Sequence, residues 1–133
     1  MTTQNIFPAV RYRDADAAIA WLSEAFGAAQ RHVYRDSNGR IMHAELTFGD
    51  GLLMLGSLDE DGFLGGAPPD PRAGATSIYI AVGDPDAVHA SATRAGAEIV
   101  RDLSDTGYGS REFSVRDPDG NLWSFGTYNP HDL

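Results

Sequence analysis

Two histidines and a glutamate stand where neighbouring strands could bring them together. His43 and Glu45 are two residues apart, so an extended chain points both to one face. His32 lies on the preceding strand-like stretch, across the turn Asp36-Ser37-Asn38-Gly39. Two imidazoles and a carboxylate are a common donor set for a divalent metal. The same residues also make an ordinary polar strand face, and that reading is preferred because such clusters are more often structural. His89 falls inside a helical stretch, where exposure without a partner is the expectation.

Composition removes other chemistries. There is no cysteine, hence no disulfide framework, thiolate metal site or thiol nucleophile. All 10 basic residues are arginine, so lysine Schiff-base and lysine general-base chemistry are out. No Gly-x-Ser-x-Gly elbow is present. The net charge of −9 argues against a nucleic-acid partner and favours a cationic one. No apolar run approaches the ~20 residues of a membrane span, and the first residues lack a signal-peptide pattern. A cytoplasmic protein with no membrane partner is expected.

The elements that must position these residues occur twice. Val10-Arg11-Tyr12-Arg13-Asp14-Ala15-Asp16-Ala17 is matched by Ile80-Ala81-Val82-Gly83-Asp84-Pro85-Asp86-Ala87. Each copy is a strand running into an Asp-capped helix, and each helix ends at a Gly-Ala pair, Gly27-Ala28 and Gly96-Ala97. In the first helix Ile19, Leu22 and Phe26 form the apolar stripe, widened by Ala18 and Trp21. Strands are expected at 6–12, 29–35, 41–48 and 52–55, then at 77–82, 98–103, 111–116 and 122–128. In 41–48, Met42, Ala44, Leu46 and Phe48 take one face and His43, Glu45 and Thr47 the other. Residues 57–76 are rich in turn formers and read as a loop. Such a repeat dictates the architecture. It is an α+β domain of two βαβββ modules, 1–56 and 77–133, with 57–76 as linker. The modules form a pseudo-two-fold, cleft-shaped mixed sheet with the helices outside.

The stretch Tyr108-Gly109-Ser110-Arg111-Glu112-Phe113-Ser114-Val115-Arg116-Asp117-Pro118-Asp119-Gly120-Asn121-Leu122-Trp123 supports a family assignment. With the repeat, it resembles the vicinal oxygen chelate superfamily of glyoxalase I, extradiol dioxygenases, fosfomycin-resistance enzymes and bleomycin-resistance proteins. Metal-dependent members carry His or Glu on the first and last strands of each module. The resemblance transfers those positions to Phe7, Ser77 and Ser124, and to Met54 or Leu55 depending on register. None is a usual ligand for such a metal. Glu45 sits on the third strand of its module, outside the standard site.

Strand alternation from these positions puts Phe7, Arg11, Ser77, Tyr79, Leu122, Ser124 and Tyr128 on the cleft side, with Met54 and Glu45 beside them. Phe113 and Trp123 go to the helix side as core. The resemblance then implies metal-free binding of a small, antibiotic-like organic molecule, as in bleomycin-resistance proteins. It implies no cofactor, no catalytic residue and a homodimer. The competing readings are a lyase, isomerase or dioxygenase with a displaced or absent metal site, and an interaction module with no small ligand.

Overall fold

The computed structural model describes Gln4, residues 6–58 and residues 77–132. The chain divides into unit 1, Met1–Pro69, and unit 2, Asp70–Leu133. Apart from Ser57 and Leu58, the expected 57–76 linker lies outside the described residues; Ser57 closes a strand.

Unit 1 runs β1 (Ala9–Tyr12), α1 (Ala15–Phe26), β2 (Ala29–Arg35), β3 (Ile41–Phe48) and β4 (Gly51–Ser57). Unit 2 runs β5 (Ser77–Ala81), α2 (Pro85–Arg94), β6 (Glu98–Asp105), β7 (Arg111–Arg116) and β8 (Leu122–Gly126). The sheet orders are β1-β4-β3-β2 and β5-β8-β7-β6, the same plan twice. In each, the first strand pairs in parallel with the last, and the others are antiparallel.

Local chemistry explains the helices. The Asp14 and Asp84 carboxylates accept from the backbone N–H of Ala17 and Ala87 at 3.0 and 3.1 Å, satisfying one first-turn donor each. Gly27 and Gly96 end the helices at φ 72° and 79°, a region L-residues avoid. The core side of each sheet follows the period of two. Val10, Tyr12, Ala44, Leu46, Leu53 and Leu55 are buried in unit 1, and Phe113, Val115, Trp123 and Phe125 in unit 2. Phe113 and Trp123 are completely buried, as expected of core residues.

Several expectations need correction. β1 starts at Ala9, three residues late; Pro8 has no N–H to give a ladder, though its carbonyl accepts from Met54. The buried stripe of α1 is Ala15, Ala18, Leu22 and Ala25. Ile19, Trp21 and Phe26 are only half-buried, and the two aromatic rings pack edge to face at 4.9 Å. Met42 is exposed, because a register shift beside it breaks the alternation of β3 and puts Ile41 inside instead. β6 continues to Asp105, and β8 stops at Gly126, short of Tyr128. His89 is partnered: its Nε2 lies 2.8 Å from Asp102 Oδ1, and its ring meets Phe113 edge to face at 5.1 Å. The inner side of α2 faces the sheet, so a mid-helix histidine there finds partners.

The Asp117-Pro118-Asp119-Gly120 turn is held by one buried carboxylate. Asp117 Oδ1 accepts from the N–H of Asp119 and Asn121, and Oδ2 from Asn121 Nδ2 and Trp123 Nε1, at 2.8–3.0 Å. Asp117→Ala strands these donors, and each buried unsatisfied donor costs ~1–3 kcal/mol. The variant is expected to lose about 3–5 kcal/mol in urea unfolding with an unchanged m-value. A loss below about 1 kcal/mol would contradict the anchoring role.

A candidate ligand pocket on the open face of unit 2

Every second residue of β7 and β8 points away from the core. Glu112, Ser114, Leu122, Ser124 and Gly126 therefore share the open face of the unit 2 sheet. Register sets them side by side, with Glu112 opposite Gly126 and Ser114 opposite Ser124. The Ser114 and Ser124 hydroxyls are 2.7 Å apart and bonded to each other. Around this floor stand Tyr79 of β5, Val100 and Arg101 of β6, and Tyr108 and Tyr128 of adjoining loops. Together they line an open pocket of about 530 Å³, within the range of roughly 300–1,000 Å³ typical of small-molecule sites.

Glu112 organises the polar side of the pocket. Its side chain is only 6% exposed and accepts from Arg101 Nη2 at 2.8 Å. The Tyr108 hydroxyl lies 2.9 Å from both carboxylate oxygens. Burial pushes this carboxyl up, but hydrogen bonds from Arg101, Ser110 and Tyr108 outweigh it and hold it below the ordinary carboxylate range. Tyr79 is pushed up by burial and by the Glu112 charge, and its hydroxyl donates to Tyr128 O at 2.5 Å. The hydrogen bond to Glu112 comes first among the causes that raise Tyr108. A Cβ on Gly126 would meet Glu112 Cγ at 2.6 Å and the Tyr79 hydroxyl at 2.8 Å. A missing side chain is what lets the network close.

Unit 1 has the same plan with other residues. Ala9 faces Met54 across β1–β4 as Tyr79 faces Ser124 across β5–β8, so Met54, not Leu55, matches Ser124. Leu55 is buried. Glu45 pairs with Met54 as Ser114 pairs with Ser124. Glu45 lies 3.0 Å from His43 Nε2 and 3.8 Å from Arg31 Nε. The His43 hydrogen bond lowers its carboxyl most, burial partly offsets this, and the Arg31 charge adds a smaller lowering. The rings of His32, Tyr34 and His43 follow one another at 5.8 and 6.0 Å. Arg11 donates to Met42 O at 3.3 Å, and its guanidinium occupies the space a Cβ on Gly56 would need.

The expected site residues thus fall in two groups. Tyr79, Leu122, Ser124 and Tyr128 line the pocket, while Ser77 is exposed on β5 opposite Leu122 and is not among its lining. Phe7, Arg11, Glu45 and Met54 belong to unit 1. Sequence reasoning missed Val100, Arg101, Tyr108, Glu112 and Ser114. Alternation could have found two of them: once Phe113 goes to the core, Glu112 and Ser114 must face the other way.

The metal held by metal-dependent members of the superfamily does not fit these residues. Phe7, Met54, Ser77 and Ser124 supply no imidazole or carboxylate, and the Ser124 hydroxyl is committed to Ser114. Among the described residues, no three His, Asp or Glu side chains gather as a metal-holding group, His32, His43 and Glu45 included.

Residues 6–125 match the model of the Glyoxalase/Bleomycin resistance protein/Dioxygenase superfamily, and the chain belongs to that family. An uncharacterized protein of Mycobacterium bovis is 34% identical over 116 residues, 85% of this chain and 76% of the relative. The crystal structure of TioX from Micromonospora sp. ML1 superposes with a TM-score of 0.79 at 30% identity, covering 95% of this chain and 99% of TioX. A bleomycin-binding protein complexed with bleomycin shares the fold, with a TM-score of 0.69 at 19% identity over 96% of this chain and 100% of that one. No helix among the described residues is long and apolar enough to cross a membrane.

The Glu112 network predicts a pH signature. A carboxyl held low in the folded state contributes stability above its unfolded pKa, and loses it as pH falls through the folded value. Wild type should therefore exceed Glu112→Gln in stability above about pH 5, and the gap should shrink below about pH 4. Urea midpoints across this range check it; a gap independent of pH would contradict the network.

Proposed function

We propose that this chain binds and sequesters a small, antibiotic-like organic molecule without a metal and carries out no reaction on it. One observation carries the reading: the pocket on the open face of β5–β8, where three part-exposed tyrosine rings, Val100 and Leu122 surround an already paired Glu112. A mostly apolar wall with a few orienting polar groups is how a binding site for an organic molecule is built. The Tyr108 hydroxyl meets the Glu112 carboxylate, which raises its pKa rather than lowering it, so this phenol is not an activated nucleophile. The corresponding open side of unit 1, with Phe7, Arg11, Glu45 and Met54, is proposed as a second ligand-facing surface, and Ser77 as a contact at the rim. The net charge of −9 would draw a cationic ligand toward the chain at low salt. A cytoplasmic homodimer completes the proposal, since two modules of one plan can pair between chains as readily as within one.

The second reading, a lyase, isomerase or dioxygenase with a displaced or absent metal site, rests on the His43–Glu45 contact of 3.0 Å. Native mass spectrometry of protein purified without chelator separates the two. With a panel of organic antibiotics and added nickel, zinc, manganese or iron, the expected species is metal-free. It should have twice the 14.3 kDa chain mass and take up intact ligand. Stoichiometric metal lost on His43→Ala or Glu45→Gln, or conversion of the ligand, would overturn the first reading.

A further inference from the structure

Taking stock of donors and acceptors in the unit 2 pocket narrows its ligand. The one charged acceptor is engaged. Glu112 Oε1 accepts from Arg101, and the one Tyr108 hydroxyl proton is shared between Oε1 and Oε2. The Tyr128 carbonyl takes the Tyr79 hydroxyl. Donors remain. A guanidinium carries five N–H groups in a planar fork, and Arg101 spends Nη2 on Glu112 while its side chain stays 49% exposed. The Ser114–Ser124 pair has two hydroxyl protons and one mutual hydrogen bond, which leaves one proton over. The remaining lining is ring face and alkyl. Tyr108 and Tyr128 stand at 87° with centroids 6.1 Å apart, and Tyr79 and Tyr128 at 56° and 6.5 Å. The hydroxyls of Tyr79 and Tyr108 are turned into the protein network, so what these residues offer a ligand is chiefly their π-surface.

Resting on the binding function proposed above, we infer that Arg101 determines specificity. The pocket takes an aromatic ring system bearing a carbonyl or carboxylate oxygen, the ring against the tyrosines and the oxygen on the free edge of Arg101. Glu112 is a positioning residue. It holds the guanidinium at the rim, so little side-chain freedom is lost on binding. The chain's overall negative charge does not conflict with this. It acts at long range and is screened by salt, whereas the Arg101 hydrogen bond acts at contact.

Naphthoate, naphthamide and naphthylmethylammonium test the inference, because they share a ring and differ in the polar group. Isothermal titration is run on the intact protein at about 0.15 M salt, where long-range attraction is weak. The two oxygen-bearing compounds should bind at least about tenfold more tightly than the ammonium compound, a difference of ~1.4 kcal/mol. Arg101→Gln should cut that preference to within about threefold. In Arg101→Met/Glu112→Gln, which leaves no buried charge unpaired, the preference should vanish while ring binding persists. Ammonium binding as tight as naphthoate, or a preference that survives both variants, would overturn the role of Arg101 and leave the binding function standing. Binding of none of the three, in protein that also binds nothing in the antibiotic panel, would overturn both.

Discussion

The unit 2 site depends on the buried carboxylate of Asp117. Its four hydrogen bonds fix the turn between β7 and β8 and tie Trp123 to it. A fixed turn fixes the register, and a slip of one residue would send every side chain of a strand to the opposite face. In the register observed, Phe113, Val115, Trp123 and Phe125 fill the core. Glu112, Ser114, Ser124 and Gly126 face outward as neighbours. The floor of the pocket is therefore a consequence of how the hairpin closes. The buried, hydrogen-bonded Asp117 has a structural duty, although it looks at first like a candidate for chemistry.

The two units show one backbone plan carrying different site chemistry. In both, a glycine near the end of the last strand lets a long side chain lie flat across it: Arg11 over Gly56, and Glu112 with Tyr79 over Gly126. Unit 1 adds a polar patch of His43, Glu45 and Arg31, partly open to water. Unit 2 surrounds its buried carboxylate with phenols and a guanidinium. A carboxylate in that setting is kept ionised by donors, and its charge is paired with Arg101. The strand pairing is the same in both units, while the side chains on their open faces differ.

The sequence made the fold legible for physical reasons. The repeat, the two Asp caps, the glycine stops and the Asp-Pro-Asp-Gly turn are local signals, each with its own stereochemical cause. What it did not yield depends on contacts distant along the chain. The register shift that exposes Met42 is set by pairing with β2, which periodicity within β3 cannot reveal. The Met54 and Leu55 alternatives needed the parallel register of β1 with β4. Tyr79, Leu122 and Ser124 could be placed by alternation, and Tyr128 lies just past the end of β8. Arg101 and Tyr108 could not, because they reach Glu112 from an irregularly paired strand and from a hairpin loop.

On the binding function proposed, a ligand sits on the open face of β5–β8. Methyl and aromatic NMR shifts, followed during titration with a molecule the protein binds, address it most directly. The largest changes should fall on the Val100 and Leu122 methyls and the rings of Tyr79, Tyr108 and Tyr128. Val88 on α2 and the buried Val115 should be nearly unmoved. Saturable shifts centred on α2 or on the His32–Tyr34–His43 stack, with the tyrosine pocket silent, would contradict it.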